Sequence, residues 1–476
     1  RLHHAFTPML NRIFQRQPVS IKKSAVSSDL IPEPPPDSET RPTDSPLTSQ
    51  DVVALFEQGL QKISVDDYEA ALPLFEQVLG IQPDLPNAWE KHSIVLQNLG
   101  RYGEALAANA KAMELYQAGA KALAVDVRKG WTAEQWIIEG ETLFFHSRYE
   151  EAVSAYDAAL KTKPDLHDTL YDKGVSLFNL GRYEDAIAAY NAALALNPDL
   201  YEAFNNKGLS LAKLGHYKEA ITTYDAALSL NPDLHQTLNN KGLSLAKLGF
   251  HRDAIVAYDA ALHLKPDKYS TLYNRGLSLA KLGHYEDAIS AYDAALRLKS
   301  NLQTAFYHKG LTLAQLDRHE DAIAAYDASL AIKPGLYDEL YNKSLSLHQL
   351  GRYKEAVAGY DAALAIQPDN PEALCNKGHS LFRLGRFNQA IAIYDAALVL
   401  KPDLHDALYS KGVALSNLGR YQQATAAYDA TLAIQPDDYQ ALYRKGLALH
   451  ALGRDQEAQV LCNAALAINP DLHQGR

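Results

Sequence analysis

Proline returns every 34 residues through most of this chain. Pro164, Pro198, Pro232, Pro266, Pro334, Pro368, Pro402, Pro436 and Pro470 fall on one grid, and Ser300 fills its single gap. Placing that proline at position 32 gives ten consecutive repeats from Ala133 to Leu472 with no insertion or deletion. Two earlier repeats fit the same frame, 52–85 (with Pro83) and 86–119, and about thirteen extra residues at 120–132 separate them from the rest. A fixed period of this length restricts the chain to an array of supersecondary modules, each burying its apolar face only against its neighbours.

Each repeat reads as two helices. In 201–234, Phe204, Gly208 and Leu211 recur at helical spacing and predict a first helix over Glu202–Leu214. Gly215 suits the left-handed residue that ends a helix. Ala220, Ile221, Tyr224, Ala227 and Leu228 share one face of a second helix predicted over Tyr217–Leu230, Pro232 cannot continue it, and Asp233 is expected to cap the next. Position 8 is glycine in the regular repeats from Gly140 to Gly446, except at Ser344, and position 20 is alanine from Ala71 to Ala458. Glycine inside a helix costs about 1 kcal/mol against alanine, so its recurrence demands close packing.

These positions together (a large residue at 4, including Trp89 and Trp136, Gly at 8, Ala at 20, Tyr156 to Tyr428 at 24, Ala at 27, Pro at 32) resemble the tetratricopeptide repeat in its multi-repeat bacterial form. The resemblance implies an all-α fold, a right-handed α-solenoid superhelix of about twelve helix-turn-helix repeats. It also implies a concave groove lined by positions 2, 5, 9, 12 and 13 of the first helices, suited to a peptide segment. On that basis the candidate groove residues are Tyr171, Asn205, Asn239, Tyr273, Tyr307, Tyr341 and Tyr409 at position 5, together with Lys213, Lys247 and Lys281 at position 13. Position 9 is mostly Leu or Val, which serves either ligand contact or helix packing. Family members that hold a C-terminal carboxylate use Lys at position 5 and Asn at 9. This chain has Tyr or Asn and then Leu, so that activity does not carry over.

Charge departs from the family pattern in two places. Position 7, usually Leu, is basic from Lys173 to Lys445, and position 25 is mostly Asp, from Asp157 to Asp429. The two form either a ladder of ion pairs, within a repeat or across to the next, or two independent solvated faces. Over 201–315, position 13 carries the three lysines while position 2 changes from Glu202 to Gln236, Ser270 and Thr304. A locally basic stripe suits an acidic peptide, chiefly through association rate and partner choice.

Residues outside the array form a tail and Pro-rich linker at 1–50 and a short tail at 473–476. Residues 24–49, with Pro32, Pro34, Pro35, Pro36, Pro42 and Pro46, bury too little apolar surface to order. Residues 1–23 are mildly basic and read as a frayed tail or a short amphipathic helix, the only part suited to membrane contact.

Other function classes find little support. The net charge of −11 argues against a nucleic-acid partner. Two distant cysteines, Cys375 and Cys462, read as buried helix residues of a reducing compartment, hence a cytoplasmic location. No phosphate-binding loop, HExxH or GxSxG motif occurs, and the histidines recur because the repeat recurs, so no catalytic, metal, cofactor or small-molecule role is expected. The chain therefore reads as a non-enzymatic interaction scaffold. The alternative is a substrate-recruiting arm of a larger kinase or glycosyltransferase.

Overall fold

The computed structural model describes residues 49–117 and 131–470; the tails and most of the 120–132 insertion lie outside the described residues. Twenty-four helices and no strand occur among the described residues, from Ser49–Ser64 to Asp455–Ile468. The architecture is an all-α solenoid of helix pairs. In the repeat read above, the helices are Tyr201–Lys213 and Tyr217–Leu230, within one residue of the expected bounds. The chain divides into two halves, 1–240 and 241–476, each with its own packing.

The helix pair closes through one repeated contact. The position-24 tyrosine of the second helix lies flat against the position-8 glycine of the first. A Cβ on Gly310 would stand 2.6 Å from Tyr326 Cε1, and one on Gly140 2.4 Å from Tyr156 Cε1. Tyr156, Tyr190, Tyr292, Tyr326, Tyr360 and Tyr394 are accordingly fully buried. Gly59 meets Phe75 in the same way, so the first irregular repeat keeps the contact. The repeat at 337–370 exchanges the two sizes. Ser344 occupies position 8, and Gly359 on the facing helix supplies the room, since a Cβ there would come within 2.2 Å of Ser344 Oγ. The last repeat seats Cys462 against Gly446.

The turn between the two helices has one conformation. Gly215 and its counterparts have φ between +71° and +84°, and Asp66, Ser147 and Asp317 adopt the same left-handed region at the equivalent position. The His216 amide donates to the Leu211 carbonyl and that of Arg352 to Leu347, the Schellman pattern that satisfies the end of the first helix. The next helix starts at His235, so its N-cap position falls on Leu234 rather than on the expected Asp233. The equivalent Leu200 and Leu404 make no side-chain cap bond. Where that position is Asn370 or Asp438, the side chain does cap, accepting from the amides of Ala373 and of Gln440 and Ala441.

Regularity fails on either side of the insertion. Lys91 and Glu139 form an ion pair with both side chains almost wholly buried. Beside them, Glu90 accepts from Tyr116 Oη at 3.0 Å and faces His146 Nδ1 at 3.2 Å. Burial alone would push the Glu90 carboxyl up, but the His146 contact and the Lys91 charge outweigh it and hold it below the usual range. Trp131 and Ile138 pack on the cluster of Val52, Phe56 and Phe75, so the helix pair after the insertion is tied to the first described helix.

Gly310→Ala gains about 1 kcal/mol of helix propensity, but displacing the Tyr326 ring costs about 1–3 kcal/mol, so net destabilisation is expected in urea unfolding. The Tyr326 hydroxyl is buried without a hydrogen-bond partner. Tyr326→Phe keeps the ring and should leave stability unchanged or raise it by up to about 1 kcal/mol. At the junction, Lys91→Met removes the cation from a buried carboxylate and should cost about 3–5 kcal/mol, while Lys91→Met with Glu139→Leu should recover most of that loss, as read by hydrogen exchange in 49–145.

Candidate functional site

The first helices carry the candidate residues, which fall into three sets of side chains. The first set is the ladder at positions 7 and 25. Lys173 Nζ lies 2.5 Å from Asp157, and the same contact occurs at 2.5–2.6 Å in Arg275–Asp259, Lys309–Asp293, Lys343–Asp327, Lys377–Asp361, Lys411–Asp395 and Lys445–Asp429. Each pair joins the first helix of one repeat to the second helix of the preceding repeat. The ladder therefore runs between repeats. Such half-exposed pairs contribute about 0–1 kcal/mol each, so they act mainly on register.

The second set involves position 5. Tyr171 Oη accepts from Asn206 Nδ2 at 2.9 Å, Tyr341 from Asn376 at 2.9 Å, Tyr307 from Asn342 at 3.4 Å, and Tyr409 from Arg444 Nε at 2.9 Å. Each donor sits at position 6 of the following repeat. Position 6 was missed from the sequence, although a tyrosine at 5 followed 35 residues later by a donor is a readable signal. The rings also pack inward: Tyr307 lies 6.2 Å from Tyr326 and Tyr341 6.0 Å from Tyr360. Tyr171 is only 1% exposed and belongs to the core rather than to an open surface. Tyr273, Tyr307, Tyr341 and Tyr409 are half-buried and show one edge. Burial pushes the Tyr307 phenol up to about 12, so it stays a neutral donor and acceptor near neutral pH.

Asparagine at position 5 is engaged in the same way. Asn205 Oδ1 accepts from Thr237 Oγ1 at 2.9 Å and its amide donates to Asn206 Oδ1 at 3.1 Å. Asn239 is half-buried at the equivalent place. At position 9, Leu277, Leu311 and Leu345 pack on the core clusters and remain half-exposed, while Leu243 and Leu447 are exposed.

The third set is the lysines of position 13. Lys213 in the N-terminal half, and Lys247 and Lys281 in the C-terminal half, are exposed, and none has a carboxylate within ion-pair distance among the described residues. Ser270 and Thr304, where other repeats carry acid, are also exposed. Near Lys281, His308 takes the place of asparagine at position 6, with its ring 5.9 Å from Tyr273 and 5.2 Å from Tyr307. Burial and the charge of Lys281 hold its imidazole below the usual range, so it is neutral at pH 7. Small residues, Ala280 and Ala314, occupy position 12 here, against His348 and Phe382 further on.

No group of three or more His, Cys, Asp or Glu among the described residues is placed to hold a metal ion. Cys375 is buried, with its thiol pushed up to about 12 by burial, which makes it a poor nucleophile. No described helix is long and apolar enough to cross a membrane.

A stack of helix pairs with a Gly–Tyr closure, an inter-repeat ion-pair ladder and a mixed apolar and amide face defines a helical-repeat scaffold. A tetratricopeptide repeat family model matches residues 139–201, 171–235, 205–269, 239–302, 273–337, 375–438 and 409–473, and a TPR repeat model matches 345–385. The chain belongs to the tetratricopeptide repeat family, a class of protein-interaction scaffolds. The stretch that the first of these models passes over, 338–374, holds the Ser344–Gly359 exchange.

Similar solved structures include YrrB, described as a TPR protein with an unusual peptide-binding site (25% identity over 41% of this chain and 98% of that one, TM-score 0.37). A tetratricopeptide repeat protein from Parabacteroides merdae is 18% identical over 52% of this chain and 98% of its own, with a TM-score of 0.39. The APC/C hetero-tetramer Cut9–Hcn1 supplies a chain 16% identical over 85% of this chain and 97% of its own, with a TM-score of 0.38. No curated protein sequence matches the chain.

Neutralising one rung of the ladder, Lys377→Met, is expected to lower stability by under about 1 kcal/mol in urea unfolding.

Proposed function

We propose that the chain is a non-catalytic scaffold that holds a peptide segment of another protein along its first helices. The segment is acidic where it meets Lys213, Lys247 and Lys281. One observation carries this reading: the three lysines recur at position 13 of successive repeats, are exposed and have no ion pair among the described residues, unlike most of the position-7 cations, which are tied into the ladder. A ligand carboxylate supplies the missing counter-charge. The half-buried edges of Tyr273, Tyr307 and Tyr341 offer apolar and phenol contact, and the Ser270 and Thr304 hydroxyls replace acids that would repel the ligand. Contacts of this kind act mostly on association rate and partner choice.

Selection from a random peptide library against the full chain tests the reading. Enrichment of Asp- and Glu-rich peptides is expected. Lys213→Glu with Lys247→Glu and Lys281→Glu should then lower their affinity about tenfold or more. Charge-neutral selected peptides, or unchanged affinity for the triple variant, would contradict it.

A further inference from the structure

A second charged surface lies in the C-terminal half, away from the position-13 lysines in sequence and made by different positions. Position 16, at the turn between the two helices, is arginine in many repeats, and its guanidinium is ordinarily neutralised within the chain. Arg182 donates to Asp185 at 2.8 Å and to Glu150 of the preceding repeat at 3.1 Å. Arg318 does the same with Asp321 at 2.7 Å and Glu286 at 3.5 Å. Arg352 and Arg454 are held by Glu355 and Glu457, each at 2.6 Å. The recurring geometry defines two acid sites around each arginine, position 19 of its own repeat and position 18 of the one before.

In two adjacent repeats both acids are gone. Around Arg386 they are replaced by Gln389 and Lys354, and around Arg420 by Gln423 and Asn388. Arg386 and Arg420 are exposed and have no ion pair among the described residues. The neighbouring acids are committed elsewhere, Glu355 to Arg352, Asp361 to Lys377, Asp395 to Lys411 and Glu372 to Lys401.

We infer that Arg386 and Arg420 form a docking surface for an acidic segment of a partner protein, whose carboxylates occupy the places that Asp185 and Glu150 hold around Arg182. Arginine is suited to this because its planar fork accepts a carboxylate in two parallel hydrogen bonds. The Asn388 and Gln389 amides between the two arginines add donors and no negative charge. A discrete carboxylate-bearing peptide fits better than an extended polyanion, because the chain as a whole carries −11 and repels a long uniform negative charge. The surface is independent of the groove proposed above and stands or falls apart from it.

The experiment uses the full chain and a short fluorescein-labelled peptide whose few glutamates are spaced by alanine and serine, with binding read by anisotropy. Arg386→Gln with Arg420→Gln removes the cations. Gln389→Glu with Gln423→Glu restores the acids that the other repeats carry, and so neutralises the arginines while leaving them in place. Each double variant is expected to lower affinity about fivefold or more, in the native background and in the Lys213→Glu, Lys247→Glu, Lys281→Glu background alike. Arg318→Gln with Arg352→Gln, whose arginines are already paired, should leave affinity unchanged. A photo-crosslinking residue in place of Asn388 should capture the peptide without any change to the arginines. Affinity indifferent to both double variants, or no capture at 388, would overturn the proposal. So would arginine-dependent binding of a single-stranded DNA oligonucleotide or of phosphatidylserine vesicles with no binding of the peptide.

Discussion

The contact between the position-8 glycine and the position-24 tyrosine is the constraint on which the rest of the structure depends. It lets the two helices of a repeat approach until an aromatic ring lies on bare helix backbone. This fixes their separation and rotation to within the thickness of a methyl group. Repeated from Gly140 to Gly412 except at Ser344, the contact gives these repeats a common shape, and within each half like shapes stack with a like step. The inter-repeat rungs, Lys173 to Asp157 or Asn206 to Tyr171, recur at closely similar distances only because that step is constant. Individually they are weak. Their effect is to penalise a slipped register, in which a whole row of cations and carboxylates would lose its partners together.

Much of this was legible in the sequence because a repeat presents each position many times. Gly208 and Tyr224 fell on the right faces, Tyr217–Leu230 had the right bounds, and the demand for close packing at glycine was correctly placed. The ladder was legible as a pairing but not in its direction, since position 25 lies at similar sequence distance from the next repeat and from its own first helix. The cap position expected at Asp233 falls on Leu234 for a local reason. The helix starts after a leucine that also fills the space between repeats, so packing rather than capping sets the boundary. The Lys91–Glu139 pair was not legible. It joins residues 48 apart across an insertion and has no counterpart on the grid, so no periodicity points to it.

The candidate site was legible in part. Lys213, Lys247 and Lys281 at position 13 are each exposed, as the helical spacing of that position implies. The position-5 tyrosines were assigned to the same surface, yet their hydroxyls are already engaged by the following repeat and their rings lean on the core. What they offer a ligand is an edge. The difference arises because one helical position reaches both the neighbouring helix and the open face, and only the structure shows how the side chain divides between them.

A repeat chain also carries its own standard of comparison, which separates two kinds of departure from pattern. Some departures are answered inside the molecule. Ser344 is met by Gly359, and Lys91 by Glu139, so the change is complete in itself and concerns folding. Others are not answered. Arg386 and Arg420 keep their charge while the acids that balance their counterparts have become amides or lysine, and Lys247 and Lys281 stand without carboxylates beside hydroxyls that replaced acids. Exposed cations of this kind add nothing to packing, and their mutual repulsion slightly opposes stability. Where a structural rule is kept elsewhere at 2.6–2.8 Å and dropped here without compensation, the missing counter-charge is most simply supplied from outside the chain.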